Sequence, residues 1–498
     1  MSGSISMLVR AQQLRAEQHA ILAEIQRLRI RHGHITRELS TLPLINSLPP
    51  ELLAEVLMIV VAGLNLDRAG ALIWYVLQVP CQVCSYWRAV ARCTPALWSL
   101  LDLDYIKGMD DPVLRLQLEL SGMAPLRVVG RGHKAPNVRA VLSGLSDANA
   151  ARIADIKVEG DGITLRDVPT RELPALSSVE VILSRLYDGR ALDFLGHAPA
   201  VKRLWLTTQY LCSDRQVEKN TIFPDLKVLN FANLTHLSIF IHNGLPISTL
   251  FPAISRFAPS LFDFQMTVNC PLMWPEKAAT TIYDFPALRH LILDMYTHRL
   301  LTHITAPALE EVIVGGLEFA SGDPMASLLN LLERSEELPI REFKLMEPVD
   351  TSLDTVLRCL KRMPHIRRLC LEQAPYMLEL MEALVCVKNK PPLLPELESV
   401  FMQFLPDSMD GMPAGPTVEA AIRRLLRSRQ EPRVCAGRAV AVLRELTTDV
   451  RSTPQTQYVT VSGCSASIVT DKDLEFLQWI PHPAIYTPIG HRLYVCNG

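Results

Sequence analysis

An α/β solenoid, entered through an N-terminal heptad helix and a small helical domain, is the fold the sequence predicts. Three observations carry it: an apolar triple that returns ten times, a proline at a fixed offset before most of those triples, and a heptad pattern at the front of the chain. Composition permits such a fold. Of 498 residues, 49% are apolar and 20% charged, and the formal net charge is −2. That is ample core material, and it creates no global field favouring nucleic acid or an anionic membrane.

The heptad comes first. Leu14, Ile21, Leu28 and Ile35 recur every seven residues, and Gln18, Ile25, His32 and Leu39 each follow four residues later. This is an a/d seam with two polar interruptions. A short coiled coil and an amphipathic helix folded onto the chain's own next domain fit it equally. Pro43 ends the helix.

A helical domain follows. Ser47 is a good N-cap, and Pro49 and Pro50 pre-set the first turn of a helix. Leu52, Leu53, Val56, Leu57 and Val60 then form an apolar stripe, with Glu51 and Glu55 on other faces. A second helix carries Val83, Cys84, Trp87, Val90 and Ala91 on one side and stops at Thr94-Pro95. Between them, Ala69 to Trp87 is uncharged for nineteen residues. Gln78, Pro80, Gln82 and Ser85 inside that stretch argue against a membrane span. The N-terminus has no apolar core of a secretory signal. Eleven cysteines, an odd number, then read as reduced thiols of the cytosol or nucleus. Cys81 and Cys84 make a C-x-x-C, but no second ligand pair follows at zinc spacing, and small residues on a helix face are the reading preferred. No metal or cofactor is expected.

Two of these segments resemble a known family. Leu48-Pro49-Pro50-Glu51-Leu52-Leu53 with Val56-Leu57, then Val83-Cys84-x-x-Trp87-Arg88-x-Val90-Ala91, looks like an F-box. Thr94-Pro95-x-Leu97-Trp98 is similar to the F-box-like proteins abundant in mushroom-forming fungi, which carry a heptad helix upstream and degenerate leucine-rich repeats downstream. The resemblance implies a three-helix unit that docks the Skp-type adaptor, and through it the cullin, of a cullin–RING ubiquitin ligase. Carried over, Leu48, Pro49, Leu52, Leu53, Val56, Leu57, Val83, Cys84 and Trp87 would form the adaptor-facing surface or its support. The long apolar linker and Pro80 depart from the family pattern.

The remainder repeats. Apolar residues at i, i+3 and i+5 are anchored at Ile153, Leu176, Val201, Leu226, Leu261, Leu288, Leu309, Ile340, Ile366 and Leu397. Proline stands two residues before eight of these ten anchors, although only 35 residues of the chain are proline. The spacings, 21 to 35 residues, fall in the range of leucine-rich repeats. Proline ends the preceding helix or loop, and a strand begins just after it. Positions i+2, i+4 and i+6 then face the concave side of an irregular leucine-rich-repeat array. They include Arg203, Trp205, Asp263, Gln265, His290, Asp294, Glu311, Lys344, Arg368, Glu372 and Gln403. Mixed charge with an aromatic anchor suits a protein target better than a phosphate backbone.

After residue 405 the pattern fades. "TVEAAIRRLLRSRQ" predicts a helix, and eight arginines against three acids between Arg423 and Arg451 read as a solvated face rather than a nucleic-acid patch. No phosphate-binding loop, nucleophile elbow or zinc-protease motif occurs in the sequence. The expected organisation is therefore a helix over 1–45, an F-box-like domain over 46–105, repeats over 106–405 and a helical or capping region over 406–498. The expected function is that of a non-catalytic substrate receptor of a ubiquitin ligase, with a leucine-rich-repeat scaffold outside ubiquitin chemistry as the alternative.

Overall fold

The computed structural model describes residues 2–40, 48–63, 80–104, 106, 108–130, 135–185, 189–208, 226–241, 247–269, 281–315, 322–335, 337–346, 351–372, 376–403, 415–450, 457–462 and 465–470. Ser47, most of the uncharged stretch and the segment after residue 470 lie outside the described residues. Two compact units divide the chain, Met1–Asn233 and Leu234–Gly498. Each is α/β and built on a parallel sheet.

The first unit opens on α1 (Ser2–Ser40), α2 (Pro50–Gly63), α3 (Pro80–Val83) and α4 (Ser85–Arg92). Local chemistry sets the last of these. The Trp87 N–H donates to Cys84 Sγ at the helix N-cap, 3.5 Å away, and at the other end Thr94 Oγ1 donates to the Val90 carbonyl at 2.7 Å. Pro95 then starts a 3-10 turn, Pro95–Trp98. Leu53, Leu57, Val90, Ala91, Leu97 and Trp98 close a small core. The Trp98 indole N–H donates to the Ala91 carbonyl at 2.7 Å, so the ring is buried without an orphaned donor.

Five strands follow: β1 (Leu100–Asp102), β2 (Leu126–Gly130), β3 (Ile153–Asp161), β4 (Ser178–Arg185) and β5 (Arg203–Thr208). Each pairs in parallel with the next. The sheet therefore begins at Leu100, inside the region the sequence assigned to the helical domain.

The second unit repeats the plan with β6 (His236–Ile241), β7 (Asp263–Val268), β8 (Tyr283–Asp284), β9 (His290–Met295), β10 (Ile304–Thr305), β11 (Glu311–Gly315), β12 (Glu342–Met346), β13 (Arg368–Glu372) and β14 (Ser399–Gln403). After β15 (Arg433–Cys435) and β16 (Arg438–Val440), an antiparallel pair, come β17 (Glu445–Val450), β18 (Gln457–Ser462) and β19 (Ser465–Thr470). In the main sheet β6, β7, β9, β11, β12, β13, β14 and β17 pair in parallel in that order. The antiparallel strands β18 and β19 extend it.

The apolar triples fill the interior. At nine of the ten predicted anchors the residues i, i+3 and i+5, from Ile153, Ile156 and Val158 to Leu397, Val400 and Met402, are at most 1% exposed. Alternation along a strand sends i+3 and i+5 to the same face, and each fully buried Val, Leu, Ile or Phe contributes about 1.5–3 kcal/mol. The tenth anchor is a correction. Leu226 is buried but lies on a 3-10 turn, Leu226–Val228. The strand of that repeat is β6, whose triple is Leu234, Leu237 and Ile239 with no proline ahead of it. Two of the three positions of the pattern recur past residue 405. Leu443 and Leu446 are buried, and Glu445 of β17 lies beside Ser399 of β14.

The segments "SLLNLLERSEE", "TSLDTVLRCLKRM" and "TVEAAIRRLLRSRQ" form the helices that their spacing predicts, at Pro324–Arg334, Leu353–Arg362 and Gly415–Ser428. A recurring tie secures helix and turn ends. Arg152 donates to the carbonyls of Leu118, Ser121 and Ala124, and Arg171 to those of Ser143 and Leu145. Arg334 donates to Leu301 and Ile304. Arg429, 0% exposed, donates to Leu384, Leu393 and Leu394. The last four carbonyls of a helix have no partner of their own, and a cation there also meets the negative end of the helix dipole.

Candidate functional site

The residues singled out by sequence lie in three places, the small helical domain and the sheet of each unit. On the small helical domain, the apolar stripe of α2 divides. Leu53 and Leu57 are buried, whereas Leu52, Val56, Ile59 and Val60 are 48%, 44%, 65% and 41% exposed. One helix cannot send positions one residue apart to the same side, so a stripe this wide has a core half and an outer half. Ahead of it Pro49 is exposed, and the Tyr86 hydroxyl pins the half-buried Leu48 by donating to its carbonyl at 2.6 Å.

The V-C-x-x-W-R segment divides too. The sequence placed Val83, Cys84, Trp87, Val90 and Ala91 on one side of a continuous helix. Instead the chain breaks at Cys84, between α3 and α4. Val83 points out at 43% exposure, Cys84 is buried as the cap, and Trp87 is half-buried against the core. Of the residues carried over from the resemblance, Leu48, Pro49, Leu52, Val56, Val83 and Trp87 have surface to offer. Leu53, Leu57 and Cys84 hold the domain up from inside and cannot touch a partner.

On the sheets, the side chains that alternate with the buried triples share the opposite face. In the second unit, Asp263, Gln265, His290, Asp294, Glu311, Lys344, Arg368, Glu372 and Gln403 all lie on it. The register brings His236, Asp263, His290, Glu311, Glu342, Arg368, Ser399 and Glu445 into one row at the strand starts. Ion pairs run between adjacent strands: His290 Nδ1 with Glu311 at 2.8 Å, Arg368 with Glu342, and Lys344 with Glu372 at 2.6 Å. Beside the row, Phe262 packs between the rings of His236 and His290, with Arg289 over its face at 5.5 Å. Arg203 and Trp205 belong to the first unit. There the guanidinium lies 5.6 Å from the indole, beside the Lys157–Glu180 pair at 2.8 Å.

Burial and neighbours tune these groups. The hydrogen bond to Glu311 raises the pKa of His290. Burial raises that of Asp263, against the pull of His236 and His290. Asp294 is raised by burial as well, although its carboxylate accepts from the Met295 N–H at 2.8 Å. Gly315 leaves room for that carboxylate, since a Cβ there would collide with Asp294 Oδ1. The surface thus carries neighbouring charges of both signs, several of them paired, with an aromatic island. It can complement a mixed-charge partner. Exposed pairs of this kind contribute about 0–1 kcal/mol each, so specificity is their larger effect.

Among the described residues no three His, Cys, Asp or Glu side chains converge as metal ligands, and no helix is long and apolar enough to cross a membrane. One small, partly open pocket, lined by Leu142, Ile153, Ile156, Val168, Arg171 and Phe194, holds a single titratable group, Arg171, and no pair. Three of the arginines after residue 423 are engaged: Arg429 is buried, while Arg424 pairs with Glu382 and Arg444 with Glu398. The chain matches no protein-family model and no curated protein.

Thiol chemistry separates the buried core from the surface. Burial pushes the thiols of Cys359 and Cys370 up to about 12, leaving roughly one thiolate in ten thousand at pH 8. Cys93 is exposed. Iodoacetamide at pH 8 is expected to alkylate the exposed Cys93 within minutes and to reach the buried Cys359 only after denaturant is added. Peptide mass spectrometry reads the order, and early modification of Cys359 would contradict the packing of the Leu353–Arg362 helix.

Proposed function

We propose that the chain is a non-catalytic substrate-recognition subunit of an SCF-type cullin–RING ubiquitin ligase, working in the cytosol or nucleus. In this reading the small helical domain is an F-box that docks a Skp-type adaptor, and the parallel sheets are a leucine-rich-repeat solenoid that presents a target protein. The observation that carries it is the outer half of α2. Leu52, Val56, Ile59 and Val60 stay exposed directly behind the Leu48-Pro49-Pro50 entry, although burying them would stabilise an isolated chain. Partner-seeking surfaces have this character: apolar at the centre, with Glu51 and Glu55 at the rim.

Catalysis would be positional. Holding a target lysine near the ubiquitin-carrying enzyme raises its effective concentration, and the receptor needs no acid, base or cofactor of its own. The mixed-charge face with Asp263, His290, Glu311, Lys344 and Arg368, and the Arg203–Trp205 pair, are the target-binding surfaces in this reading.

Co-purification of the full chain with a Skp-type adaptor tests it. Wild type should associate. Leu52→Asp with Val56→Asp should weaken association more than about 100-fold, since two charges would be desolvated at the contact. Leu48→Ala with Pro49→Ala should weaken it less. Absence of association in wild type, or its survival in the Asp variant, would leave a repeat scaffold outside ubiquitin chemistry as the function.

A further inference from the structure

We infer that α1 joins two copies of this chain through a parallel, in-register, two-stranded coiled coil over residues 14–39. The inference is independent of adaptor docking and uses a different surface. The sequence left two fates for the heptad seam, and the structure separates them. Leu14, Ile21, Ile25, Leu28 and Ile35 are 53%, 55%, 41%, 55% and 47% exposed, so the seam is not folded onto the chain's own helical domain. An exposed apolar seam, interrupted at Gln18 and His32, on a 39-residue helix is the surface a second helix covers.

What the second helix is follows from the polar positions. The alternating steps of four and three residues fix the heptad: Leu14, Ile21, Leu28 and Ile35 are d, and Gln18, Ile25, His32 and Leu39 are a. In a parallel pair in register, a faces a′. Gln18 then meets Gln18′ and His32 meets His32′, and each polar group finds a hydrogen-bonding partner inside the seam. In an antiparallel pair a faces d′. The fully overlapped arrangement sets Gln18 against Ile35′ and His32 against Ile21′, burying four polar side chains opposite apolar ones. An unrelated apolar helix would leave the same groups orphaned. A second copy in register satisfies them. Polar a positions of this kind specify register and dimeric state at some cost in stability.

Flanking charge does not decide the matter. Glu24 meets Arg29′ favourably in the parallel pair, and Arg10 meets Arg15′ unfavourably. Glu24 already bonds Arg27 of its own helix at 3.1 Å, an exposed contact weak enough to be shared. Leu22, 55% exposed at an e position, widens the seam on one side. The polar layers therefore set the orientation.

The full chain tests this by light scattering coupled to size exclusion and by sedimentation across a concentration series. The expected mass is twice the 55.7 kDa of one chain. Ile25→Asp with Leu28→Asp should raise the dimer dissociation constant more than about 100-fold. Ile30→Asp, on the outer f position, should leave it unchanged. Orientation is read by cross-linking. Under mild oxidation, Gln18→Cys should give a disulfide between the substituted positions of the two copies, seen in non-reducing peptide maps. A wild-type chain that stays monomeric at tens of micromolar, or a dimer that survives Ile25→Asp with Leu28→Asp, overturns the proposal. So does a Gln18→Cys with Ile35→Cys variant that links position 18 to 35′ instead of 18 to 18′.

Discussion

Arg429→Met is expected to destabilise the second unit by about 3 kcal/mol or more. The guanidinium of Arg429 is fully enclosed, and its Nε and two terminal nitrogens each serve a different carbonyl, those of Leu384, Leu394 and Leu393. Methionine keeps the volume and leaves three buried acceptors without donors, each costing about 1–3 kcal/mol. Against that stands relief from burying a cation. Burial lowers the arginine pKa, which shows that desolvation opposes the charge without discharging it. Because a guanidinium is weakly hydrated and each of its three nitrogens serves a carbonyl, the lost bonds outweigh the relief. Arg429→Lys should recover less than half, since one ammonium cannot span three carbonyls in a fork. The first unfolding transition in urea and the hydrogen-exchange protection of the Met377–Leu384 helix measure it. An unchanged midpoint in Arg429→Met would mean that the three carbonyls are satisfied in some other way.

Neighbouring residues of β12 should give opposite answers. Phe343→Ala is expected to cost about 3–5 kcal/mol, because the ring is 1% exposed in a strand paired on both sides. Lys344→Ala, one residue along and on the other face, should cost under about 1 kcal/mol. It removes only the partly exposed pair with Glu372. Its effect should appear instead in binding of whatever partner the face receives. Equal losses at the two positions would contradict the two-faced arrangement of the sheet.

The buried triples are legible because a strand that buries one face must repeat its apolar residues at fixed offsets. That constraint is local. Where the sequence misleads, a long-range fact intervenes. Pro224 points to Leu226, yet the strand starts ten residues later at His236, because pairing with β7 selects the segment and proline merely punctuates loops. Leu443 and Leu446 lead into β17, but the next position of the triple is Thr448, and Leu443 stands 46 residues after Leu397 with no proline two residues ahead of it, so neither triple nor spacing marks this strand. On α2 the period of a helix shows an apolar stripe but cannot say that Leu53 turns inward while Leu52 stays out, since that depends on where Val90 and Trp98 lie. The pairs Arg368–Glu342 and Lys344–Glu372 are out of reach for the same reason. Only the register of adjacent strands brings those side chains together.

Within each parallel sheet, every strand lies beside the one that precedes it in the chain's procession of main strands. This gives the protein a direction of assembly. During synthesis a strand needs only the strand just completed in order to pair, and never a segment still inside the ribosome. Ordering can therefore keep pace with translation, with little loop-closure entropy lost at each step. The same arrangement makes the most recently added strand an open edge until its successor arrives. At the far end of the second sheet, β18 and β19 reverse direction and so change the growing front at the place where the parallel procession stops.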